Sequence, residues 1–377
     1  MIYFDSAATT LQKPPSVRRA MTRALLEATS PSRGGHPASM RAAEIAYQCR
    51  EAAARLFGAA GPEHIVFTMN ATHGLNIAIK NLVQAGERVV VSGYEHNSVM
   101  RPLHAARAEV IIAHAPLFAP EAVLRAFDMA IGSDTKLVVC NHVSNVFGFI
   151  LPVAEIAALC SARGVPFVLD ASQSAGMLEV NAVRLGADFI ALPGHKGLYG
   201  PQGMGVLVCN RVPSCTLIEG GTGSDAKLRD MPEELPDRLE AGTPNMPGIA
   251  GLLAGIKFVE RRGIERILKR EKHLFHQALE GLWHISGLRV YAAEDAAHQL
   301  GVLSFCADGL DCEAVAEALG AQNIAVRAGF HCSPEAHASA GSLETGTVRI
   351  SFSDFNTERE VRQFLVVLEQ VVKKLRK

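Results

Sequence analysis

The chain has 377 residues, of which 48% are hydrophobic, so it can form one to three domains with a large buried core. Its formal net charge is -1 and it has no run of like charges, which argues against binding nucleic acid or an anionic membrane through bulk electrostatics. We expect no signal peptide and no membrane span, and the eight scattered cysteines, without a C-x-x-C pair, favour a reduced, cytoplasmic protein with no metal site.

The first part of the chain predicts a short strand, two helices and a polar loop between the helices. Helical periodicity covers residues 16–28 and 40–57. The intervening loop, residues 30–36, has too many helix-breaking residues to form an element and is a candidate substrate loop. Ser32 and His36 are the two residues of this loop that we consider for substrate contact.

Short apolar runs then alternate with helical patterns. Continuous apolar strands between helices are typical of a mostly parallel sheet that is covered on both faces. In such sheets the ligand binds at the carboxyl ends of the strands. The seven predicted strands span residues 64–68, 88–91, 110–113, 137–141, 167–170, 189–192 and 205–208.

The alternation stops after residue 210. Polar, glycine-containing stretches lead into one long helix predicted over residues 248–283, which we expect to join a smaller C-terminal α/β unit. A large domain is predicted over residues 15–255, and a small domain over residues 1–14 and 256–377. The small unit has predicted strands at 287–291, 299–306, 324–327 and 347–351, and a final helix at 358–375.

Polar side chains follow five of the predicted strands. A single polar strand end is usually a cap or a turn, but five in series indicate a site. We expect these residues to meet at one edge of the sheet. They are Asn70, Thr72 and His73, then Glu95, His96 and Asn97, then His142, Ser144 and Asn145, then Asp170, Ser172, Gln173 and Ser174, and finally His195 and Lys196.

Lys196 lies between glycines directly after a predicted buried strand. A buried lysine is costly unless its amine is paired or chemically employed, and burial lowers its pKa and makes the amine nucleophilic. A surface lysine in a glycine-rich turn remains the alternative for this stretch alone. Asp170, at the end of the preceding strand, makes the pair suitable for pyridoxal phosphate, because a lysine binds the cofactor aldehyde and a carboxylate pairs with the pyridinium nitrogen.

Two further polar residues suit the same cofactor. Thr72 lies at a strand-to-helix turn, where free backbone N–H groups and the helix dipole favour a phosphate. His96 could stack on the ring and move protons.

Six sequence motifs extend this pattern over nearly the whole chain. They are DSAATT at 5–10, HVSNVFG at 142–148, DASQS at 170–174, GHK at 194–196 with GPQGMG at 200–205, EAGTPN at 240–245, and RAGFHC at 327–332. Together they resemble the class V aminotransferase fold, and specifically the cysteine desulfurase and selenocysteine lyase family, in the group with an R-x-G-x-H-C motif. The resemblance implies a type I pyridoxal-phosphate-dependent transferase fold and a homodimer with shared active sites.

The resemblance also implies the reaction and the role of each matching residue. L-Cysteine would become L-alanine, and its sulfur would remain as a persulfide on Cys332 until an acceptor protein takes it. Lys196 would bind the cofactor and move the Cα proton, His96 would stack on the pyridine ring, and Asp170 would pair with the ring nitrogen. Further cofactor contacts would come from Asn145 and Gln173 at the phenolic oxygen and from Ala71, Thr72, His195, Thr222 and Thr243 at the phosphate, with Thr243 from the second subunit. Substrate contacts would come from Arg349, which would clamp the carboxylate, and from Ala8, Asn145, Arg327 and His36.

Cys332 is the expected nucleophile. Composition alone favours a buried core cysteine, but Cys332 lies beside His331 in a predicted loop between Gly329 and Pro334. Positive charge near a partly exposed cysteine favours the thiolate, which could attack the substrate sulfur.

One position departs from the family pattern. Pro193 stands where relatives often carry a phosphate-binding serine, and proline offers neither a hydroxyl nor an N–H. Thr222 or Ser224 from the second subunit could replace that contact.

Three alternative functions remain at this point. A selenocysteine lyase, or another β-lyase or aminotransferase of the class, would use Lys196 without strictly needing Cys332. A weakly active sulfur-relay or assembly protein is disfavoured by the intact set of Lys196, Asp170, His96 and Cys332. A nicotinamide-binding protein is disfavoured because residues 200–205 do not match G-x-G-x-x-G and follow the lysine instead of opening the first β/α unit.

Overall fold

The computed structural model of the protein describes residues 1–31, 34–224 and 227–377. Ser32, one of the two candidate substrate-loop residues, lies outside these ranges. Within them, no helix has both the length and the apolar character needed to cross a membrane.

The large sheet is built from short, apolar strands joined by helices. A short strand and two helices precede it: β1 (Ile2–Tyr3), α1 (Pro15–Glu27) and α2 (Pro37–Phe57). Its strands are β2 (Ile65–Thr68), β3 (Arg88–Ser92), β4 (Glu109–Ala113), β5 (Thr135–Asn141), β6 (Phe167–Asp170), β7 (Phe189–Pro193) and β8 (Gly205–Cys209). The helices between them are α3 (Ala71–Leu82), α4 (Asn97–Ala105), α5 (Pro120–Ala130), α6 (Val153–Arg163) and α7 (Ala182–Leu185).

The seven strands have the order β2-β8-β7-β6-β5-β3-β4. Strand β8 is antiparallel to both of its neighbours, and the other pairs are parallel, so six strands run in one direction. The predicted α/β fold with a mostly parallel, seven-stranded sheet is therefore confirmed. Its side chains face two cores in alternation, because Val90 belongs to the hydrophobic cluster on one face and Val89 and Val91 belong to the cluster on the other.

The predicted long helix is two helices, α8 (Met246–Arg262) and α9 (Ile264–Trp283). Gly263 ends the first and precedes the second with φ 82° and ψ 127°, which is a left-handed value of φ that glycine adopts without strain. The prediction of one continuous helix over 248–283 was therefore wrong. Its apolar periodicity continues through both helices, and only the backbone at this glycine separates them.

The C-terminal unit is a small α/β layer. Its elements are β9 (Leu288–Tyr291), β10 (Val302–Ala307), α10 (Cys312–Ala321), β11 (Ile324–Ala325), β12 (Arg327–Gly329), α11 (Pro334–Ala340), β13 (Thr347–Ser351) and α12 (Glu358–Leu375). Four strands form an antiparallel sheet in the order β12-β13-β10-β9. The predicted strand at 324–327 divides in two, because β11 pairs in parallel with β1 while β12 pairs with β13.

Residues from the first strand region belong to the core of this C-terminal unit. The ring of Phe4 packs edge-on against Phe352 and Phe364, at centroid distances of 5.1 and 5.6 Å. Ile2 and Phe4 therefore share a hydrophobic cluster with residues of α9, β10 and α12. The predicted division at residues 14 and 255 stays a prediction.

Candidate active site

The carboxyl ends of the parallel strands bring the predicted polar residues to one edge of the sheet. Asn141 on β5 pairs with Asp170 on β6, and Asp170 pairs with Ala191 on β7. The turns that follow these strands carry Asn145, Gln173 and Lys196, and the turn after β3 carries His96.

Lys196 has its amine in the protein interior. Burial lowers the pKa of this amine to about 8, an effect that Asp170 opposes and Arg349 reinforces. The loop is fixed by close packing, since a Cβ at Gly197 would collide with the carbonyl oxygen of Ala175. An amine with this pKa is neutral in part near pH 7 and can act as a nucleophile or accept a proton.

His96 and Asp170 lie close enough to one another and to Lys196 for their charges to affect one another's pKa. His96 precedes α4 and its Nδ1 accepts a hydrogen bond from the backbone N–H of Ser98, at 3.0 Å. Burial lowers the pKa of His96 to about 4 despite the nearby Asp170, so the ring is neutral and its proton lies on Nε2. Asp170 is 3% exposed, and its Oδ1 accepts from the Ser172 backbone N–H at 2.8 Å.

Glu95 is a buried carboxyl group to which the sequence pattern assigned no role. Its Oε1 accepts hydrogen bonds from the Ser92 hydroxyl at 2.5 Å and from the Asn141 backbone N–H at 2.8 Å. Burial raises the pKa of Glu95 to about 8, and the nearby Asp170 adds to the effect. Glu95 is therefore mostly protonated at neutral pH. The sequence signal was available, because an acidic residue directly precedes His96 at a strand end.

A small cavity of about 30 Å³ lies beside Lys196, with Ser6, Gln173, Tyr199 and Glu271 in its lining. Glu271, on α9, lies 3.4 Å from the Tyr199 hydroxyl, and burial raises its pKa well above the usual range. A buried carboxyl group of raised pKa at this position was not predicted, because the sequence shows Glu271 only as one charged residue of an amphipathic helix.

Arg349 is a buried cation between two parts of the chain. It is 2% exposed, and its Nη2 donates to Asp5 Oδ1 at 2.7 Å while its Nη1 donates to the Asn145 carbonyl oxygen at 2.8 Å. Arg327 Nη1 lies 3.9 Å from the other Asp5 oxygen and is more exposed. The buried Nε of Arg349 has no partner among the described residues, so the guanidinium retains a donor for a carboxylate. Asp5 belongs to the DSAATT motif at 5–10, but its pairing with Arg349 was not predicted.

Cys332 is exposed on a tight turn that touches the same group of residues. Its carbonyl oxygen accepts from the Asn97 backbone N–H at 2.8 Å, directly beside His96. The preceding carbonyl, of His331, accepts from Asn145 Nδ2 at 2.8 Å. Two successive backbone carbonyl groups of the turn that carries the exposed thiol are thus hydrogen-bonded to residues that follow strands of the large sheet.

Gln173 and His195 lie against the residues 5–13. Gln173 Nε2 donates to the carbonyl oxygen of Ala7 at 3.0 Å, which places it next to Ala8. The His195 carbonyl oxygen accepts from the Thr10 backbone N–H at 3.0 Å and from Lys13 Nζ at 3.2 Å.

The predicted phosphate turn has its expected local form. Asn70 caps α3, because its Oδ1 accepts from the His73 backbone N–H at 2.9 Å. Ala71 and Thr72 are the first two residues of the helix, where backbone N–H groups lack intrahelical partners. Thr72 is exposed.

Three predicted residues lie apart from this group. Thr222 and Thr243 line a separate cavity of about 880 Å³, and the hydroxyl of Thr222 lies 3.1 Å from that of Ser224. His36 caps α2, where its Nδ1 accepts from the Ser39 backbone N–H at 3.3 Å. Within one chain, no described contact brings Thr222, Thr243 or His36 to Lys196, so their roles stay predictions.

The described residues fit pyridoxal phosphate. The chain offers a buried amine of lowered pKa in Lys196, a buried carboxylate in Asp170 and a neutral ring in His96. His195 adds a buried Nδ1 that has no partner in the described part of the chain. An unpaired buried donor or acceptor is costly unless a ligand satisfies it, which favours a bound polar group at this position.

Comparisons with known proteins show which family and which proteins the chain is similar to. The profile of the family "Aminotransferase class-V" matches residues 2–364. A probable cysteine desulfurase of Pyrococcus abyssi is 36% identical over 386 aligned positions, which cover 100% of this chain and 95% of that protein.

Two solved structures extend the likeness to the whole fold. The apo structure of a cysteine desulfurase from Thermococcus onnurineus NA1 is similar with a TM-score of 0.88 and 34% identity, over 99% of this chain and 95% of that one. The Escherichia coli cysteine desulfurase CsdA, in an S-sulfonic acid form, is similar with a TM-score of 0.85 and 26% identity, over 99% and 94%.

Proposed function

This chain belongs to the class-V aminotransferase family, and on that premise we propose that it is a pyridoxal-phosphate-dependent cysteine desulfurase. It converts L-cysteine to L-alanine and retains the sulfur as a persulfide on Cys332. One observation carries the proposal: the exposed Cys332 turn is hydrogen-bonded to Asn97, which adjoins His96 in the site of Lys196. Desulfuration needs an exposed thiol as well as the buried lysine and aspartate, and the hydrogen bond to Asn97 connects the turn of that thiol to the residue after His96.

The cofactor would be bound by residues of the strand ends. Lys196 would hold its aldehyde, Asp170 its ring nitrogen, and His195 with the first turn of α3 its phosphate. When bound, pyridoxal phosphate would supply an electron sink for the electrons released at the substrate. His96 presents a neutral ring for stacking, and its Nε2 carries a proton.

The substrate carboxylate binds to the guanidinium of Arg349, whose buried Nε has no protein partner in the described chain. Lys196 Nζ takes the proton from the substrate Cα and later returns a proton to that carbon in the alanine product. The Cys332 sulfur, as a thiolate, forms a bond to the substrate sulfur while the substrate Cβ–S bond breaks. The electron pair of that bond stays with Cβ, which takes up a proton, matching the one that the Cys332 thiol released, and becomes the methyl group of alanine. The carbon is thereby reduced, and the cysteine sulfur is oxidised to the persulfide.

We also propose a homodimer with shared active sites, a protein acceptor for the sulfur, and a cytoplasmic location. The cavity that contains Thr222 and Thr243 supports the dimer, because these residues would need a second subunit to reach a cofactor phosphate. A second subunit would also supply a contact in place of the serine that Pro193 replaces. The eight cysteines, all within the described ranges, are free, as a reducing compartment requires.

The test is the release of alanine from L-cysteine with a reductant present, for the wild-type protein and Cys332→Ala. Cys215→Ala is the matched control, since Cys215 is the other exposed cysteine. We expect the first variant to lose at least 99% of the activity and the control to retain it. Activity that survives in Cys332→Ala would contradict persulfide formation at this residue.

The same assay with L-selenocysteine decides between the proposal and its alternative. A selenocysteine lyase, or another β-lyase of the family, would release alanine from selenocysteine in both proteins and little from cysteine. Substantial release from cysteine by the wild-type protein, lost in Cys332→Ala, would identify a desulfurase.

A further inference from the structure

The turn that carries Cys332 is attached to the protein at three successive residues. His331 is buried, and its Nε2 donates to the Thr347 carbonyl oxygen at 3.2 Å. The Cys332 carbonyl accepts from the Asn97 backbone N–H at 2.8 Å. Ser333 is fully buried, and its hydroxyl donates to Asn145 Oδ1 at 2.7 Å. Of the three side chains, only the thiol is exposed.

Asn145 links this turn to the candidate carboxylate site. Its Nδ2 donates to the His331 carbonyl oxygen at 2.8 Å, so both atoms of the side-chain amide bind the turn. Its own carbonyl oxygen accepts from Arg349 Nη1 at 2.8 Å. The predicted contacts of the Asn145 amide with cofactor and substrate stay predictions; its partners within the described chain are His331 and Ser333, on either side of Cys332.

The backbone of the turn requires such support. His331 and Cys332 have φ values of 49° and 59°, which place two consecutive non-glycine residues in the left-handed region. This conformation costs roughly 1–2 kcal/mol per residue and persists only where surrounding contacts impose it. The hydrogen bonds to Asn97, Thr347 and Asn145 are the contacts available for that purpose.

We propose that Ser333 is a positioning residue, which fixes the direction of the Cys332 thiol through its hydrogen bond to Asn145. Because Asn145 is also hydrogen-bonded to Arg349, the same contact links the position of the thiol to that of the guanidinium. The inference rests on the proposed function, because it assigns Cys332 as the nucleophile. Ser333 acts on the orientation of the thiol relative to a substrate held by Arg349. It does not act on substrate binding, since its hydroxyl is occupied by Asn145.

The experiment compares Ser333→Ala with the wild-type holoenzyme. Ser339→Ala is the matched control, because the Ser339 hydroxyl also makes a hydrogen bond of 2.8 Å, to the Gly93 carbonyl oxygen, from the helix α11 that follows the turn. We measure kcat and KM for L-cysteine and the absorbance of bound cofactor. We also measure the rate at which iodoacetamide alkylates Cys332 without substrate, by mass spectrometry.

For Ser333→Ala we expect a kcat at least tenfold lower, a KM within twofold of wild type and an unchanged cofactor absorbance. We expect Cys332 alkylation at least threefold faster, because the released turn no longer restricts the thiol. Ser333→Thr keeps the hydroxyl and should retain kcat within threefold. Ser339→Ala should match the wild-type protein in each measurement.

Two results would overturn the inference. One is a Ser333→Ala variant that equals Ser339→Ala in both kcat and alkylation rate. The other is a loss of activity that comes with weakened cofactor absorbance or with a raised KM, which would indicate a general structural role. If the wild-type protein releases no alanine from cysteine, the proposed function fails, and the alkylation rates alone then decide whether Ser333 orients the thiol.

Discussion

Replacing Lys196 by methionine should stabilise the protein when no cofactor is bound. The charged amine is unfavourable in the interior, and burial lowers its pKa from 10.5 to about 8. Each pH unit of such a difference corresponds to about 1.4 kcal/mol, so the penalty at pH 7 is on the order of 3 kcal/mol. Methionine has a similar length and no charge, so Lys196→Met removes this penalty.

The lowered pKa of Lys196 determines the direction in which the stability of the apoprotein changes with pH. Because the folded-state pKa is below the unfolded-state pKa, the unfolded state binds more protons between pH 8 and 10.5. The wild-type apoprotein should therefore gain stability as pH rises through that window. The advantage of Lys196→Met should shrink by about 2 kcal/mol between pH 7 and 9.5.

Urea unfolding of the two apoproteins at several pH values measures this difference. Lys80→Met is the control, since Lys80 is an exposed lysine on α3 and its substitution removes no buried charge. A stability difference that stays constant from pH 7 to 9.5, or a less stable Lys196→Met at pH 7, would refute the reasoning. In the presence of cofactor, the same variant should lack the absorbance band of lysine-bound pyridoxal phosphate.

Two further predictions concern buried charge. Asp5→Asn leaves the buried Arg349 without its anionic partner, so we expect the free energy of unfolding in urea to fall by about 2–3 kcal/mol; a loss below about 1 kcal/mol would contradict the pairing. Burial raises the pKa of Glu271, so above about pH 4.5 the folded state keeps a proton that the unfolded state releases. The free energy of unfolding of the wild-type protein should therefore fall as the pH rises. Glu271→Gln should remove this decline, of up to about 1.4 kcal/mol per pH unit, and equal slopes for both proteins between pH 5 and 7.5 would contradict it.

The sequence predicted the large sheet because its strands are nearly continuous apolar runs between helical patterns. In a strand such as β3, four of the five residues are buried, so the sequence shows an apolar run and not an alternation of apolar and polar residues. The errors occurred where apolar periodicity carries no information about the backbone. The break at Gly263 depends on one left-handed φ, and the division of 324–327 depends on which partner each half finds.

The candidate site was predictable where it depends on strand ends. Asp170 ends β6, Lys196 follows the adjacent strand β7, and His96 follows β3, which only β5 separates from β6, so the topology brings the three to the same edge of the sheet. The pairing of Asp5 with Arg349 and of Ser333 with Asn145 was not predictable, because these partners are 344 and 188 residues apart. No periodicity or local propensity connects residues at such separations.

The position of β1 also affects how the protein matures during translation. Strand β1 pairs with β11, Asp5 binds Arg349, and the Ala7 backbone N–H donates to the Ser351 hydroxyl. The N-terminal segment, which is synthesised first, therefore cannot form these contacts until more than 300 further residues have been added. The ribosome adds roughly 5–20 residues per second, so this interval lasts on the order of tens of seconds. A nascent chain that ends before residue 324 lacks these partners as well as Arg349 and Cys332. The N-terminal segment therefore reaches its observed contacts only after synthesis has passed residue 351.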